Sequence, residues 1–200
     1  EFASLGIVPL SGGSTTSYQI LSLSPIATLE DFEGLRIRIA GAVYGRWAEF
    51  MGGQSVQMPS TEIFEALNQR TVDAVFGSFT EIQNQQIQDV IGNATRVNFG
   101  VFNGFTLVNL RQEFWSALDA DTKEAFLDAA LYAQVAGTQG WLEADESALS
   151  LARENNINLL EPGQDVSERM VAFRAEHLAR LPTDLAARGI EDAAAKIDRF

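Results

Sequence analysis

Cysteine is absent from these 200 residues, which excludes disulfides and thiol catalysis. Histidine occurs once, at His177, so a transition-metal cluster has no imidazole set to draw on. No apolar run reaches the eighteen or so residues that a membrane span needs. Positive charge is scarce. Fourteen Lys and Arg stand against 27 Asp and Glu, for a formal net charge of −13, and no basic stripe is present to neutralise phosphates, so a nucleic-acid partner is disfavoured. The G-x-S-x-G, H-E-x-x-H, EF-hand and dinucleotide fingerprints are all missing, as are internal repeats and low-complexity tracts. Gly12-Gly13-Ser14 lacks the spacing and the following helix of a phosphate cradle. The chain opens Glu1-Phe2-Ala3, with neither an initiator methionine nor a secretory leader pattern.

What is present centres on residues 34–41, Gly-Leu-Arg-Ile-Arg-Ile-Ala-Gly. Thr28 with Asp31 forms a capping pattern, Gly34 supplies a left-handed stop, and alternation then begins. Leu35, Ile37 and Ile39 point one way and Arg36 and Arg38 the other. Two arginines on one face of a core-type strand call for anions. Local acids are one source; a ligand carboxylate, which a guanidinium fork matches bidentately, is the other.

Along the chain, 6–10 reads as a short strand, 11–16 as a flexible connection and 18–23 as a strand. Tyr44, Trp47, Phe50 and Met51 sit at helical spacing in 43–51, which Gly52-Gly53 ends. A strand over 55–58 follows, then a helix to 69 capped by Ser60 with Ile63, Phe64 and Leu67 as its buried stripe, then a strand over 72–75. That alternation implies a mainly parallel sheet, whose ligands sit beyond the carboxyl ends of its strands. Arg38, Ser60 and the turn Phe76-Gly77-Ser78 fall at such ends. Residues 81–90 read as a polar helix, 99–105 as a strand, and 111–118 as a short helix. A capping box at Asp121 and Glu124 opens a helix that persists to about 155, roughly 50 Å at 1.5 Å per residue. A closing strand over 156–160, a helix from Asp165 to 181, Pro182 as separator and a last helix toward 200 complete the chain. The acids Asp119, Asp121, Glu124 and Asp128 are explained by capping and the helix dipole rather than by a metal.

Three ordered motifs, Leu29-Glu-Asp-Phe-Glu-Gly-Leu-Arg-Ile-Arg38, Met58-Pro-Ser-Thr-Glu-Ile-Phe-Glu-Ala-Leu67 and Thr71-Val-Asp-Ala74, resemble the solute-binding proteins of tripartite ATP-independent periplasmic (TRAP) transporters, DctP type. The resemblance runs from about Ser17 to the C-terminus. It implies an α/β, periplasmic-binding-protein-like two-lobe (Venus flytrap) fold with mainly parallel sheets and a long helix bridging the lobes. It further implies an extracytoplasmic receptor for an organic acid, acting with TRAP membrane subunits in the periplasm, with no cofactor, no enzymatic activity and no direct membrane insertion. Arg38 matches the arginine that clamps the ligand's carboxylate. Tyr18 falls where some members carry a second polar contact, and Gly41, Ser60, Phe76, Gly77, Ser78, Phe99 and Asn103 complete the implied ligand-binding set. The family's usual Asp-Gly-Gln-Glu-Asn-Pro is here Asp73-Ala-Val-Phe-Gly-Ser78, so phenylalanine stands in place of glutamate at Phe76 and the second polar anchor is gone. The resembled proteins are longer, and what is missing lies before Glu1. Residues 1–15 and 103–142 are therefore expected to be a remnant of an N-terminal lobe, and 16–102 with 143–200 a C-terminal lobe. Two other functions stay open: a carboxylate-using enzyme on a doubly wound sheet, and a sensory module that does not transport.

Overall fold

The computed structural model describes residues 2–101, 103–190 and 192–197. Alternation in the Arg-Ile-Arg-Ile run becomes strand β3 (Arg36–Ile39), which Gly34 precedes at φ 74°, a left-handed conformation that glycine adopts without strain. Asp31 anchors that entrance by accepting from the amides of Ala27 and Thr28 and from the Thr28 hydroxyl, over a single 3-10 turn at Glu30–Phe32 rather than a full helix. The apolar spacing of the next segment gives α1 (Ala42–Phe50), and Gly52 at φ 102° turns the chain back into β4 (Gln54–Gln57), parallel to β3. Helix α2 (Ile63–Asn68) then returns the chain to β5 (Ala74–Gly77), which lies parallel on the other side of β3.

These strands belong to a six-stranded sheet of order β4-β3-β5-β2-β6-β8, completed by β2 (Gln19–Ser22), β6 (Asn93–Thr95) and β8 (Asn158–Leu160). Strand β2 runs antiparallel to both its neighbours, while β6 and β8 are parallel. The mainly parallel sheet expected from the sequence is thus present, with β2 as the reversed member. Both faces are covered. Ile37, Ile39, Trp47, Phe32, Phe76 and Phe173 fill one side, beneath α1 and α6 (Gln164–Ala186); Leu21, Val75, Ile63, Leu67, Ile82, Ala148 and Ala152 fill the other, beneath α2, α3 (Thr80–Asn84) and α5 (Ala120–Glu154). A sheet buried on both faces explains the apolar run Ala-Val-Phe of β5, which is buried throughout. A separate two-stranded antiparallel sheet pairs β1 (Ile7–Ser14) with β7 (Asn103–Arg111), followed by α4 (Gln112–Ala117).

Several expectations are corrected. The Ser-Gly-Gly-Ser run is not a flexible connection: Gly12 and Gly13 pair with Leu107 and Thr106 inside β1, where partner backbone supplies the order that glycine lacks. Ser60 makes no capping hydrogen bond, since the chain enters α2 through a 3-10 turn at Ser60–Glu62, and Ala66, not the exposed Phe64, completes the buried stripe. The helix expected over 81–90 is only α3, ended by Gln86 at φ 54°. Asp119, not Asp121, caps α5 by accepting from the Thr122 amide. Helix α6 continues through Pro182. Strand β6, for which the sequence showed no pattern, and the short α7 (Ala193–Ile197) complete the elements.

Candidate functional site

Strands β3 and β5 deliver Arg38 and Gly77-Ser78 to neighbouring carboxyl ends of the sheet, because Arg38 pairs with Val75 and the two strands run parallel. Arg36 and Arg38 leave this strand with different partners. Arg36 closes a bidentate pair on Asp73, with Nε donating to Oδ2 at 3.0 Å and Nη2 to Oδ1 at 2.8 Å. Arg38 is only 3% exposed, and its hydrogen-bond acceptors among the described residues are carbonyl oxygens: Met58 O at 3.1 Å from Nε and Phe76 O at 3.4 Å from Nη1. No ion pair within 4.0 Å reaches it among the described residues. Burial pulls its pKa down, while the charge of Glu81 opposes that shift. Arg36 therefore takes the local acid, and Arg38 keeps the capacity to bind a further anion.

Around Arg38 the expected residues divide into two groups. Tyr18, Gly77 and Ser78 are buried at the same end of the sheet; Tyr18 feels the charges of Glu81 and Arg38, with burial the main cause of its raised pKa. Ser78 shares a 2.6 Å hydrogen bond with Thr80. Phe76 contributes its carbonyl to Arg38, but its ring packs on Trp47 in the α1-side core, 4.3 Å between centroids, so its side chain is a core residue rather than a ligand contact. Ser60 is half-buried and makes no capping bond. Gly41 and Phe99 line a cavity of about 610 Å³ together with Val43, Tyr44, Met170 and Phe173, rimmed by Arg174, His177 and Arg188. Tyr44 joins the two groups, since its ring stacks on Tyr18 at 4.7 Å and lies 5.4 Å from Phe99. Phe99 precedes β7 rather than belonging to it; the side chain of Asn103, like Phe102 and the side chain of Phe105, lies outside the described residues.

Two contributors escaped the sequence reading. Glu81, one helical turn past the end of β5, is held near Arg38 with its pKa raised by burial. Its signal was the three-residue step from Ser78, visible only once α3 is known to begin at Thr80. Asp145 on α5 accepts from the Thr16 hydroxyl at 2.8 Å, and burial raises its pKa as well. It lines a second cavity of about 470 Å³ with Gln19, Asn98 and Trp141. Among the described residues there is no group of three or more metal-ligating side chains, and no helix is long and apolar enough to cross a membrane.

The model of the DctP family, bacterial extracellular solute-binding protein family 7, matches residues 1–180. The chain belongs to this family. Curated relatives include the C4-dicarboxylate-binding periplasmic protein DctP of Shewanella loihica, 25% identical over 163 residues, 80% of this chain and 48% of the relative. The protein of the same name from Rhodobacter capsulatus is 26% identical over 150 residues, 74% of this chain and 41% of the relative. The chain thus spans about half the length of these DctP proteins. Among solved structures, DctP6, an extracytoplasmic solute receptor of Bordetella pertussis binding pyroglutamic acid, superposes with a TM-score of 0.82 at 20% identity, over 98% of this chain and 64% of that one. A TRAP periplasmic solute-binding protein from Shewanella oneidensis with bound succinate gives 0.77 at 22% identity, over 91% and 61%. At such identities the likeness is one of fold, and the fold is of the two-lobe periplasmic-binding-protein type.

Proposed function

We propose that this chain forms the carboxylate-gripping part of an extracytoplasmic receptor that captures an organic acid in the periplasm and passes it to TRAP membrane subunits. The observation that carries the reading is Arg38, buried at a strand's carboxyl end with carbonyls and, among the described residues, no ion-paired acid around it, in a chain of the DctP family. Succinate, β-D-galacturonate, pyroglutamate and orotate, the ligands named for related structures, differ in shape and share a carboxylate. A pre-oriented guanidinium serves all of them, because the fork recognises the carboxylate and leaves the rest of the molecule to other walls. The neighbouring cavity, joined to Tyr18 through the Tyr44 ring and lined by Val43, Tyr44, Phe99, Met170 and Phe173, would favour an apolar or aromatic body over a densely hydroxylated one.

The division into lobes is part of the same reading. Residues 16–102 and 143–200 supply the six-stranded sheet and its covering helices, whereas 1–15 and 103–142 supply the β1-β7 sheet, α4 and the first part of α5, as a piece of the opposite lobe. Ligand capture would close the two lobes by hinge motion about the connections between them.

Calorimetry on the full-length protein tests the anchor. Arg38→Ala is expected to lose about 2–5 kcal/mol of binding to whichever acid a thermal-shift screen identifies, the range for truncating one partner of a desolvated charge pair, and Arg38→Lys to recover part of it. Unchanged affinity in Arg38→Ala would overturn the assignment. Consumption of the acid over time would favour an enzyme instead.

A further inference from the structure

We propose that Glu81 is the second polar anchor of the Arg38 site, and that the preferred ligand carries an amine close to its carboxylate, as an amino acid does. The inference rests on the reading that Arg38 holds a carboxylate, and it names what the neighbouring group must be.

Three observations lead there. Although the Glu81 carboxyl accepts from the Gln85 side chain, its Oε2 atom is buried and has no hydrogen-bond partner among the described residues, and a carboxylate oxygen withdrawn from water is rarely left without a donor. The side chain also lies close against β5. A Cβ on Gly77 would stand 2.8 Å from Glu81 Cγ, so the glutamate stem lies against the last residue of β5 in a space that only a glycine leaves. Lastly, the charges of Arg38 and Glu81 act on each other and both act on Tyr18, while no direct ion pair joins the two. Had the pair existed only to cancel charge, a direct contact would have been the favourable arrangement.

A cation and an anion held near each other without touching present complementary charges to a zwitterion. The carboxylate takes the guanidinium, and an ammonium N–H donates to Oε2, giving that oxygen the donor it lacks. A plain monocarboxylate would meet Arg38 and at the same time be repelled by Glu81. The glutamate thus discriminates by repulsion as well as by attraction. It would also supply, five residues later in the chain, the second polar anchor that the family resemblance leads one to expect at Phe76.

The test uses matched pairs on the full-length protein: phenylalanine against 3-phenylpropanoate, leucine against 4-methylpentanoate, proline against cyclopentanecarboxylate. Calorimetry is expected to show at least one amine-bearing member bound tenfold or more tighter than its counterpart. Glu81→Gln, which keeps the shape and an acceptor oxygen but removes the charge, should bring that ratio to within about threefold of unity while slightly tightening the counterpart. Glu81→Asp, checked for folding by its thermal melt, should keep part of the preference. Arg38→Ala should weaken both members alike. A ratio that Glu81→Gln leaves unchanged, a preference for the amine-free acids, or failure of every pair to bind while other carboxylates do would each overturn the proposal and spare the carboxylate reading. Insensitivity of all binding to Arg38→Ala would remove that reading itself.

Discussion

Arg36 and Arg38 are two residues apart on one strand face and meet opposite surroundings, which the sequence could pose as alternatives but not decide. The decision comes from register. Ile37 pairs with Ala74, which puts Arg36 beside Asp73, 37 positions away in the chain, and Arg38 beside Val75 and the carbonyl of Phe76. The Arg36 hydrogen bonds are the main reason that the Asp73 carboxyl lies below its ordinary pKa. A depressed folded-state pKa means that the pair's stabilisation is present above the unfolded aspartate value and disappears as pH falls through the folded one. Asp73→Asn should therefore destabilise at neutral pH, by a modest amount because both side chains are partly exposed. The difference from the parent should shrink as the carboxyl titrates at strongly acid pH. Urea midpoints at the two pH values check this, and an equal gap at both would mean that the ion pair contributes nothing. Glu81 shows the other limit of legibility. In the sequence it is one acid among glutamines, and only the early start of α3 makes it a neighbour of Arg38.

Elements were legible where period and punctuation agreed, as in β3-α1-β4-α2-β5, with glycine at the turns and an amphipathic α1. They were illegible where tertiary pairing overrode local signals. Strand β6 is three residues, Asn-Ala-Thr, too short for any alternation, and it exists because β2 and β8 flank it. Helix α6 survives Pro182 although a proline inside a helix removes one backbone bond. Gly53 offers a test at this scale. A Cβ there would stand 2.7 Å from Ile37 Cδ1 and 3.2 Å from the Leu35 carbonyl oxygen, and backbone cannot move aside as a side-chain tip can. Gly53→Ala should cost about 1–3 kcal/mol, the range for overpacking a close-packed site. The midpoint of chemical denaturation should fall with its slope unchanged; an unshifted midpoint would show that the β3-β4 junction is more compliant than its geometry implies.

At the scale of the whole molecule, apolar side chains are left exposed on strand β7 and along helix α5. Leu107 and Val108 on β7 are about half exposed, and Leu127, Leu131, Tyr132, Val135 and Leu142 on α5 are more than half exposed, up to 76% at Tyr132. The lobe division leads one to expect bare apolar surface from Phe102 to Val108 and around Phe126, Leu127 and Leu131; Leu107, Val108, Leu127 and Leu131 are exposed, Phe126 is half-buried with its ring near those of Phe114 and Trp115, and the side chains of 102–106 lie outside the described residues. How far along α5 the exposure extends could not be read, because apolar residues every three or four positions look the same whether their partner is present or not. Soluble monomers seldom leave contiguous apolar surface of more than a few hundred Å² uncovered. A net charge of −13 favours solubility but does not shield a local patch of this kind. The 200 residues produced by themselves should therefore self-associate through α5 and β7. Light scattering after size exclusion should show a mass that rises with concentration, and the dye ANS should bind strongly. Leu131→Lys together with Val135→Lys, both on the exposed face, should reduce both signals without lowering the melting temperature. A parent chain that remains a sharp monomer, fails to bind the dye and holds its acid at full affinity would show that this surface needs no cover and that the lobe division is wrong.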